Sequence, residues 1–100
     1  KLMLDKFVDI IKNKDSITCV ISGHTDNVPI STDKFPTNWE LSSGRALSVV
    51  HYLISKGVDP TVLRGEAFGE YHPVSPNDTD AGRSMNRRIE LTIVNAKKKK

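Results

Sequence analysis

An acidic and a basic side chain, Asp26 and Arg45, are the residues of this sequence best suited to chemistry. Asp26 comes soon after the apolar run 17–22, and the loops that follow such strands in open α/β sheets are where ligands bind. The two charges can pair with each other. They can also hold a ligand that has an ammonium and a carboxylate on one carbon, because a guanidinium fork binds a carboxylate with two hydrogen bonds. The residues alone leave both interpretations open.

Arg45 belongs to the clearest predicted helix of the chain, 38–57. Asn38 is expected as its N-cap, and Gly57 as the residue that ends it in the left-handed conformation. One face repeats apolar residues at three- and four-residue spacing: Ala46, Val49, Val50, Leu53 and Ile54. At about 100° per residue, Asn38 and Arg45 fall on one side of the helix, at the edge of this apolar stripe. Arg45 is therefore expected to be rooted beside the core.

The other segments predict an α/β sandwich. We expect a helix over 2–14, strands over 17–22, 64–69 and 88–94, a turn over 58–63, a helical turn over 83–87, and polar loops over 23–37 and 71–82. The first two strands flank a helix of crossover length and should be parallel, whereas the direction of the last strand is left open. The predicted fold is a two-layer sandwich with two main helices on one face of a small mixed sheet.

Three segments resemble a known family: GHTDNVPI (23–30), NWELSSGRA (38–46) and GRSMNRRIEL (82–91). They are similar to the OmpA-like peptidoglycan-binding domain, and the NVPI and the Trp after the Asn resemble more particularly the flagellar-motor stator B subunits (MotB type). The resemblance runs through most of 17–94 and agrees with the predicted fold. It implies a domain over 1–96 whose first strand lies outside this sequence, followed by a disordered tail, Lys97–Lys100.

The resemblance also implies a ligand. In that family the matching Asp and Arg hold the free amino-acid end of meso-diaminopimelate in the peptidoglycan stem peptide, a role that falls here on Asp26 and Arg45. Asn38 matches the family's Asn at the helix start and is expected to add a hydrogen bond. The further residues that the resemblance brings to this site are Thr25, Leu41 and Arg87.

The implied function is a non-catalytic module that anchors a flagellar stator to the cell wall. The resemblance implies that this chain is the periplasmic part of a single-pass inner-membrane protein. Its implied partners are a stator A subunit and a second copy of the chain. The glycan is a further contact, and no cofactor or metal is expected. The nearest alternative is that the same wall-binding domain belongs to an outer-membrane protein or lipoprotein of the OmpA/Pal type. No apolar run of 18 residues is present, so the implied membrane helix lies outside this sequence.

Two other functional classes find little support. The formal net charge is +3, and because Lys97–Lys100 supply four positive charges the remainder is slightly negative, which argues against a nucleic-acid binder. The basic group around Arg83, Arg87 and Arg88 is expected to pair mainly with acids of the same domain. A wall hydrolase would need zinc or a paired acid. No zinc-ligand spacing occurs among His24, His51, His72 and Cys19. No catalytic-triad motif surrounds Ser42 and Ser43.

Three residues near these motifs are expected to be structural. Cys19, in a buried strand, should behave as a small apolar residue. His24 should orient the loop that follows it. Trp39 is expected to be a packing anchor in preference to a sugar-stacking platform.

Overall fold

The computed structural model of the chain describes residues 2–12 and 17–95. Its elements in chain order are α1 (Leu2–Lys12), β1 (Ile17–His24), α2 (Asn38–Ser55), a 3₁₀ turn (Pro60–Val62), β2 (Leu63–Gly69), α3 (Asp80–Asn86) and β3 (Arg88–Asn95). The strands form one sheet in the order β2-β1-β3, in which β2 is parallel and β3 antiparallel to β1. The predicted mixed α/β fold is confirmed, and the direction of the last strand is now defined.

The core lies between the sheet and the two longer helices. Cys19 and Ile21 of the central strand are fully buried, because alternate residues of a strand point to one face. Leu53 of α2 is equally inaccessible, and Val8 and Ile11 of α1 join the same cluster. Burying each large apolar side chain contributes about 1.5–3 kcal/mol. The two main helices therefore cover one face of the sheet, as predicted.

Helix α2 begins one residue differently from the prediction. Asn38 was expected as the N-cap, but Thr37 is the cap, and its hydroxyl accepts a hydrogen bond from the Trp39 backbone N–H at 3.1 Å. Glu40 completes a capping box by accepting from the Thr37 backbone N–H at 2.8 Å. Asn38 is thereby released from capping. The predicted end is confirmed, since Gly57 has φ +96° just after the helix.

Strand β1 runs two residues further than predicted, to His24. The sequence predicts a loop from Gly23 onward, yet this glycine stays in the sheet, where it pairs with Ala67 of β2 and Ile89 of β3. The strand also passes very close to α2 at this point. A Cβ atom at Gly23 would lie 2.1 Å from the Ser42 carbonyl oxygen. The extension brings Thr25 and Asp26 to the end of the strand and beside the first turns of α2.

The remaining boundaries differ by a few residues. Helix α3 starts at Asp80, before the helical turn predicted over 83–87, because Thr79 caps it by accepting from the Gly82 N–H at 2.9 Å. Positions 13 and 14 of the first predicted helix and the tail Lys97–Lys100 lie outside the described residues. Among the described helices, none is long and apolar enough to cross a bilayer.

Candidate functional site

A cavity of about 290 Å³ lies at the carboxyl end of β1, between the loop 25–30 and the first three turns of α2. It is lined by Thr25, Asp26, Val28, Pro29, Ile30, Asn38, Leu41, Arg45 and Arg87. Every residue that the resemblance assigned to the ligand site therefore borders one space. Val28, Pro29 and Ile30 were not predicted as lining residues; the length of their loop was the signal that could have found them.

Asp26 is held firmly by its surroundings. The residue is 7% exposed, and its Oδ1 accepts a hydrogen bond from the Val28 backbone N–H at 3.0 Å. Its Oδ2 accepts from Nη1 of Arg87 at 2.6 Å. A buried carboxylate is stable only when paired and hydrogen-bonded, and both conditions are met here. The Asp26–Arg45 pair, which was one of the two interpretations that the sequence left open, is not formed among the described residues; Asp26 pairs with Arg87 instead.

Arg45 has a different environment. It borders the cavity and is partly buried, as its position beside the apolar stripe predicted. Within residues 2–12 and 17–95, no carboxylate lies within ion-pair distance of its guanidinium. Its donors are thus available to a carboxylate that enters from outside. A guanidinium can hold such a group with two parallel hydrogen bonds.

Asn38 fixes the wall of the cavity. It is 6% exposed, and its Nδ2 donates to the carbonyl oxygens of Asp26 (3.3 Å) and Val28 (3.2 Å) and to Oε1 of Glu70 (3.1 Å). Thr25 also holds the loop in place, since its backbone N–H donates a hydrogen bond to the Gly69 carbonyl oxygen at 2.9 Å. The loop that carries Asp26 is therefore attached to both α2 and the end of β2.

The charges of the cavity suit a zwitterion with an additional negative group. One carboxylate, Asp26, faces two guanidiniums, Arg45 and Arg87, so the lining has an excess of one positive charge. Leu41 and Val28 supply apolar surface between and beside these charges. The arrangement can hold an ammonium at Asp26, a carboxylate at Arg45, and an aliphatic chain along the apolar wall.

The basic segment near the C-terminus mostly pairs internally, as predicted. Arg83 forms an ion pair with Asp80, and Arg88 donates from Nε to Oε2 of Glu90 at 2.5 Å. Asn86, which is fully buried, accepts two backbone N–H groups from the preceding loop and thereby orients α3. Arg87 is the member of this segment that reaches the cavity.

His24 is buried at the end of β1 next to the site, and Cys19 is buried earlier in the same strand. His24 is 3% exposed, neither ring nitrogen has a hydrogen-bond partner among the described residues, and the ring stacks on Phe68 with centroids 4.9 Å apart. Burial lowers the pKa of His24, with the nearby Arg88 charge acting in the same direction. Burial also raises the pKa of the Cys19 thiol to about 11, which keeps it protonated. No group of three or more potential metal ligands occurs in the part of the chain that the structure describes.

Trp39 packs against a neighbouring side chain, as expected, but remains about half exposed. Its side chain is 48% exposed and stacks on Tyr71, which is 62% exposed, with ring centroids 5.3 Å apart and an interplanar angle of 29°. The residue stands in the first turn of α2, one position after Asn38. At about 100° per residue Trp39 falls on the same side of the helix as Ala46 and Val50, so the helical period did not signal its exposure.

Comparison with known proteins identifies the family. The family model described as the OmpA family matches residues 1–87. The chain belongs to the OmpA family. The OmpA-like peptidoglycan-binding domain is the class into which it falls, and motility protein B is among its relatives.

Three relatives define this OmpA-family chain further. It is 46% identical over 76 residues to motility protein B of Bacillus subtilis, a match that covers 75% of this chain and 29% of that protein. The C-terminal domain of Helicobacter pylori MotB superimposes with a TM-score of 0.84 at 30% identity, covering 92% of this chain and 69% of that one. The cell wall anchor of the T6SS from Pseudomonas aeruginosa gives 0.83 at 32% identity, covering 96% and 66%. The chain thus spans less than a third of its Bacillus relative.

Proposed function

We propose that this domain binds peptidoglycan without catalysis, by gripping the free amino-acid end of diaminopimelate in a stem peptide. Arg45 binds the ligand carboxylate with its guanidinium fork, and Asp26 accepts the ligand ammonium. The observation that carries the proposal is the contrast within one cavity: a fixed, buried carboxylate lies close to a guanidinium that has no acidic partner among the described residues.

The Asp26–Arg87 pair gives the binding step a specific form. The ligand ammonium competes with the Arg87 guanidinium for Oδ2 of Asp26, while the Val28 N–H continues to hold Oδ1. The Arg87 side chain is 45% exposed, so its guanidinium can move toward solvent, and the ligand ammonium then replaces it as the positive partner of the buried carboxylate. Once displaced, Arg87 joins Arg45 on the ligand carboxylate.

The expected affinity for one stem peptide is low. Each charge-assisted hydrogen bond contributes about 1.5–3 kcal/mol, and association costs offset much of the sum. A dissociation constant of about micromolar to millimolar follows. Strong attachment to the wall then comes from multivalency, since two linked domains meet many copies of the ligand at high effective concentration.

For the whole protein that contains this domain, we propose that wall binding anchors a flagellar stator in bacterial motility. The support is kinship with motility protein B of Bacillus subtilis and with the MotB C-terminal domain of Helicobacter pylori. In this proposal the domain lies in the periplasm, and a membrane helix outside this sequence joins it to a stator A subunit. A second copy of the chain provides the bivalency that firm anchoring needs.

Sedimentation with purified cell wall tests the wall-binding proposal. The wild-type domain should sediment with the wall, and a soluble stem peptide ending in free diaminopimelate should release it. Arg45→Ala should stay in the supernatant. Arg64→Ala is the matched control, because it removes the same charge from an exposed position on β2, outside the cavity, and should sediment like the wild type. Wild-type sedimentation by Arg45→Ala would refute the proposal.

A further inference from the structure

The exposed aromatic pair Trp39–Tyr71 is a preformed surface that the stem-peptide site does not use. Both rings rest on Gly69, whose φ is +60°; a Cβ atom there would lie 3.4 Å from Cδ2 of Trp39 and 3.5 Å from Cδ2 of Tyr71. The rings therefore lie directly against the end of β2. A stacked pair that is about half exposed leaves a flat apolar surface in solvent, and such surfaces typically mark contacts with a ligand or partner.

A second cavity, of about 470 Å³, opens beside this pair. It is lined by Trp39, Glu40, Ser43, Gly44, Leu47 and Ala67. Among the residues that the structure describes, no arginine or lysine borders this cavity, and Glu40 is the sole charged residue of its lining. Oε1 of Glu40 is engaged by the helix cap, where it accepts from the Thr37 backbone N–H. An aromatic wall with one hydroxyl (Ser43), one carboxylate (Glu40) and no cation among the described lining residues suits an uncharged ligand that has one apolar face and several hydroxyls.

We propose that the Trp39–Tyr71 pair and this cavity form a saccharide subsite for the glycan strand of the same wall polymer. The C–H groups on one face of a pyranose ring are polarised by the neighbouring oxygens and stack on the negative face of an aromatic ring. The inference rests on the proposed function, because it adds the sugar to a stem peptide that the first cavity already holds.

The two subsites are continuous in the fold. Trp39 directly follows Asn38, and Tyr71 directly follows Glu70. Nδ2 of Asn38 donates to Oε1 of Glu70 at 3.1 Å, so one hydrogen bond joins the wall of the stem-peptide cavity to the base of the aromatic pair. In peptidoglycan the sugar and the stem peptide are covalently linked. A single ligand can therefore fill both subsites.

The same surface is less suited to nucleic acid. Stacking of bases is accompanied by cations that neutralise the phosphates, and the described lining of this cavity includes none. If the pair instead served a protein contact or base stacking, attaching a sugar to the stem peptide would add no affinity. That difference provides the test.

Intrinsic fluorescence makes the experiment direct, because Trp39 is the single tryptophan of the chain. Two ligands are compared: a stem tripeptide ending in free diaminopimelate, and the same tripeptide carried on its disaccharide. The disaccharide form should change the Trp39 emission and bind about three- to tenfold more tightly than the tripeptide, the gain expected of an aromatic contact.

The variants separate the two subsites. By calorimetry, Trp39→Ala and Tyr71→Ala should each bind the disaccharide form only as tightly as the tripeptide, with tripeptide affinity unchanged. Val94→Ala is the matched control: it removes a similarly exposed apolar side chain (47%) from β3, outside both cavities, and it should keep the sugar gain.

Each outcome decides the inference. Equal affinity of the wild type for both ligands, or an undiminished sugar gain in both aromatic variants, would overturn the saccharide subsite and leave the stem-peptide site standing. Failure of the wild type to bind either ligand would overturn the proposed function and the subsite together.

Discussion

The Arg87 guanidinium lies 2.6 Å from the Asp26 carboxylate, joining the end of α3 to the end of β1 across the cavity. Arg45 borders the same space without an acidic partner among the described residues. The two arginines therefore have different roles. Arg87 stabilises the buried acid in the folded domain, whereas Arg45 contributes its charge to the cavity and is available to a ligand.

Replacing the two arginines should separate binding from stability. Arg45→Ala should lower stem-peptide affinity at least about tenfold, the loss of one charge-assisted hydrogen bond, yet change the free energy of unfolding by less than about 0.5 kcal/mol. Arg87→Ala should cost about 1 kcal/mol or more, because it leaves the nearly buried Asp26 carboxylate with only the Val28 N–H. Urea unfolding and calorimetry measure the two effects. A larger loss of stability in Arg45→Ala than in Arg87→Ala would favour a structural role for Arg45.

Gly23→Ala should damage both the fold and the site. The added methyl group would lie 2.1 Å from the Ser42 carbonyl oxygen, so β1 and α2 must move apart, at a cost of about 1–3 kcal/mol or more. Because Asp26 follows within three residues, stem-peptide binding should weaken as well. Gly65→Ala is the control, since its nearest neighbour would be Cδ2 of Leu47 at 3.7 Å. Thermal unfolding of both variants checks this; equal melting temperatures would contradict the close approach.

His24 should make the domain less stable below neutral pH. Burial and the Arg88 charge lower the pKa of His24 in the folded state, while in the unfolded chain it titrates near its ordinary value of about 6.5. As pH falls through that value, the unfolded chain takes up a proton that the folded one does not. The free energy of unfolding therefore decreases from about pH 6.5 downward and is unaffected by His24 above it.

Urea unfolding between about pH 5 and 7.5 tests this, above the range in which carboxylates such as Glu90 titrate; the hydrogen bond from Arg88 lowers the pKa of Glu90 further. His24→Phe keeps an aromatic ring against Phe68 and should flatten the profile. His51→Gln removes an exposed histidine from α2 and should retain the wild-type slope. A slope that persists in His24→Phe would assign the effect to another group.

Local sequence patterns were sufficient for the fold. The apolar face of 38–57 predicted α2, and the alternation in 88–94 predicted β3, since both follow the side-chain periods of helix and strand. The loop after 17–22 and the helix after it indicated where an acid and a guanidinium would face each other. The family resemblance then gathered residues as distant in sequence as Thr25 and Arg87, which border one cavity in the structure.

Other features depended on tertiary contacts that no local pattern contains. The extension of β1 to His24 follows from the pairing of Gly23 and His24 with both β2 and β3. The partner of Asp26 is a residue 61 positions away, so the choice of Arg87 over Arg45 could not be made from spacing. Asn38 is a favourable N-cap residue by type, but the Thr37–Glu40 capping box occupies the helix start, and the Asn38 amide instead joins the loop to Glu70.

The central claim is that Asp26 and Arg45 hold the two charges of one amino-acid end, and a comparison of two stem peptides tests it most directly. One peptide ends in diaminopimelate with its free carboxylate, and the other carries lysine, which keeps the ammonium but lacks that carboxylate. In a titration followed by amide chemical shifts, the diaminopimelate peptide should shift the resonances of Asp26 and Arg45 with a dissociation constant of about micromolar to millimolar, and the lysine peptide should bind at least about tenfold more weakly. Equal affinities, or no shift at either residue at millimolar peptide, would contradict the account.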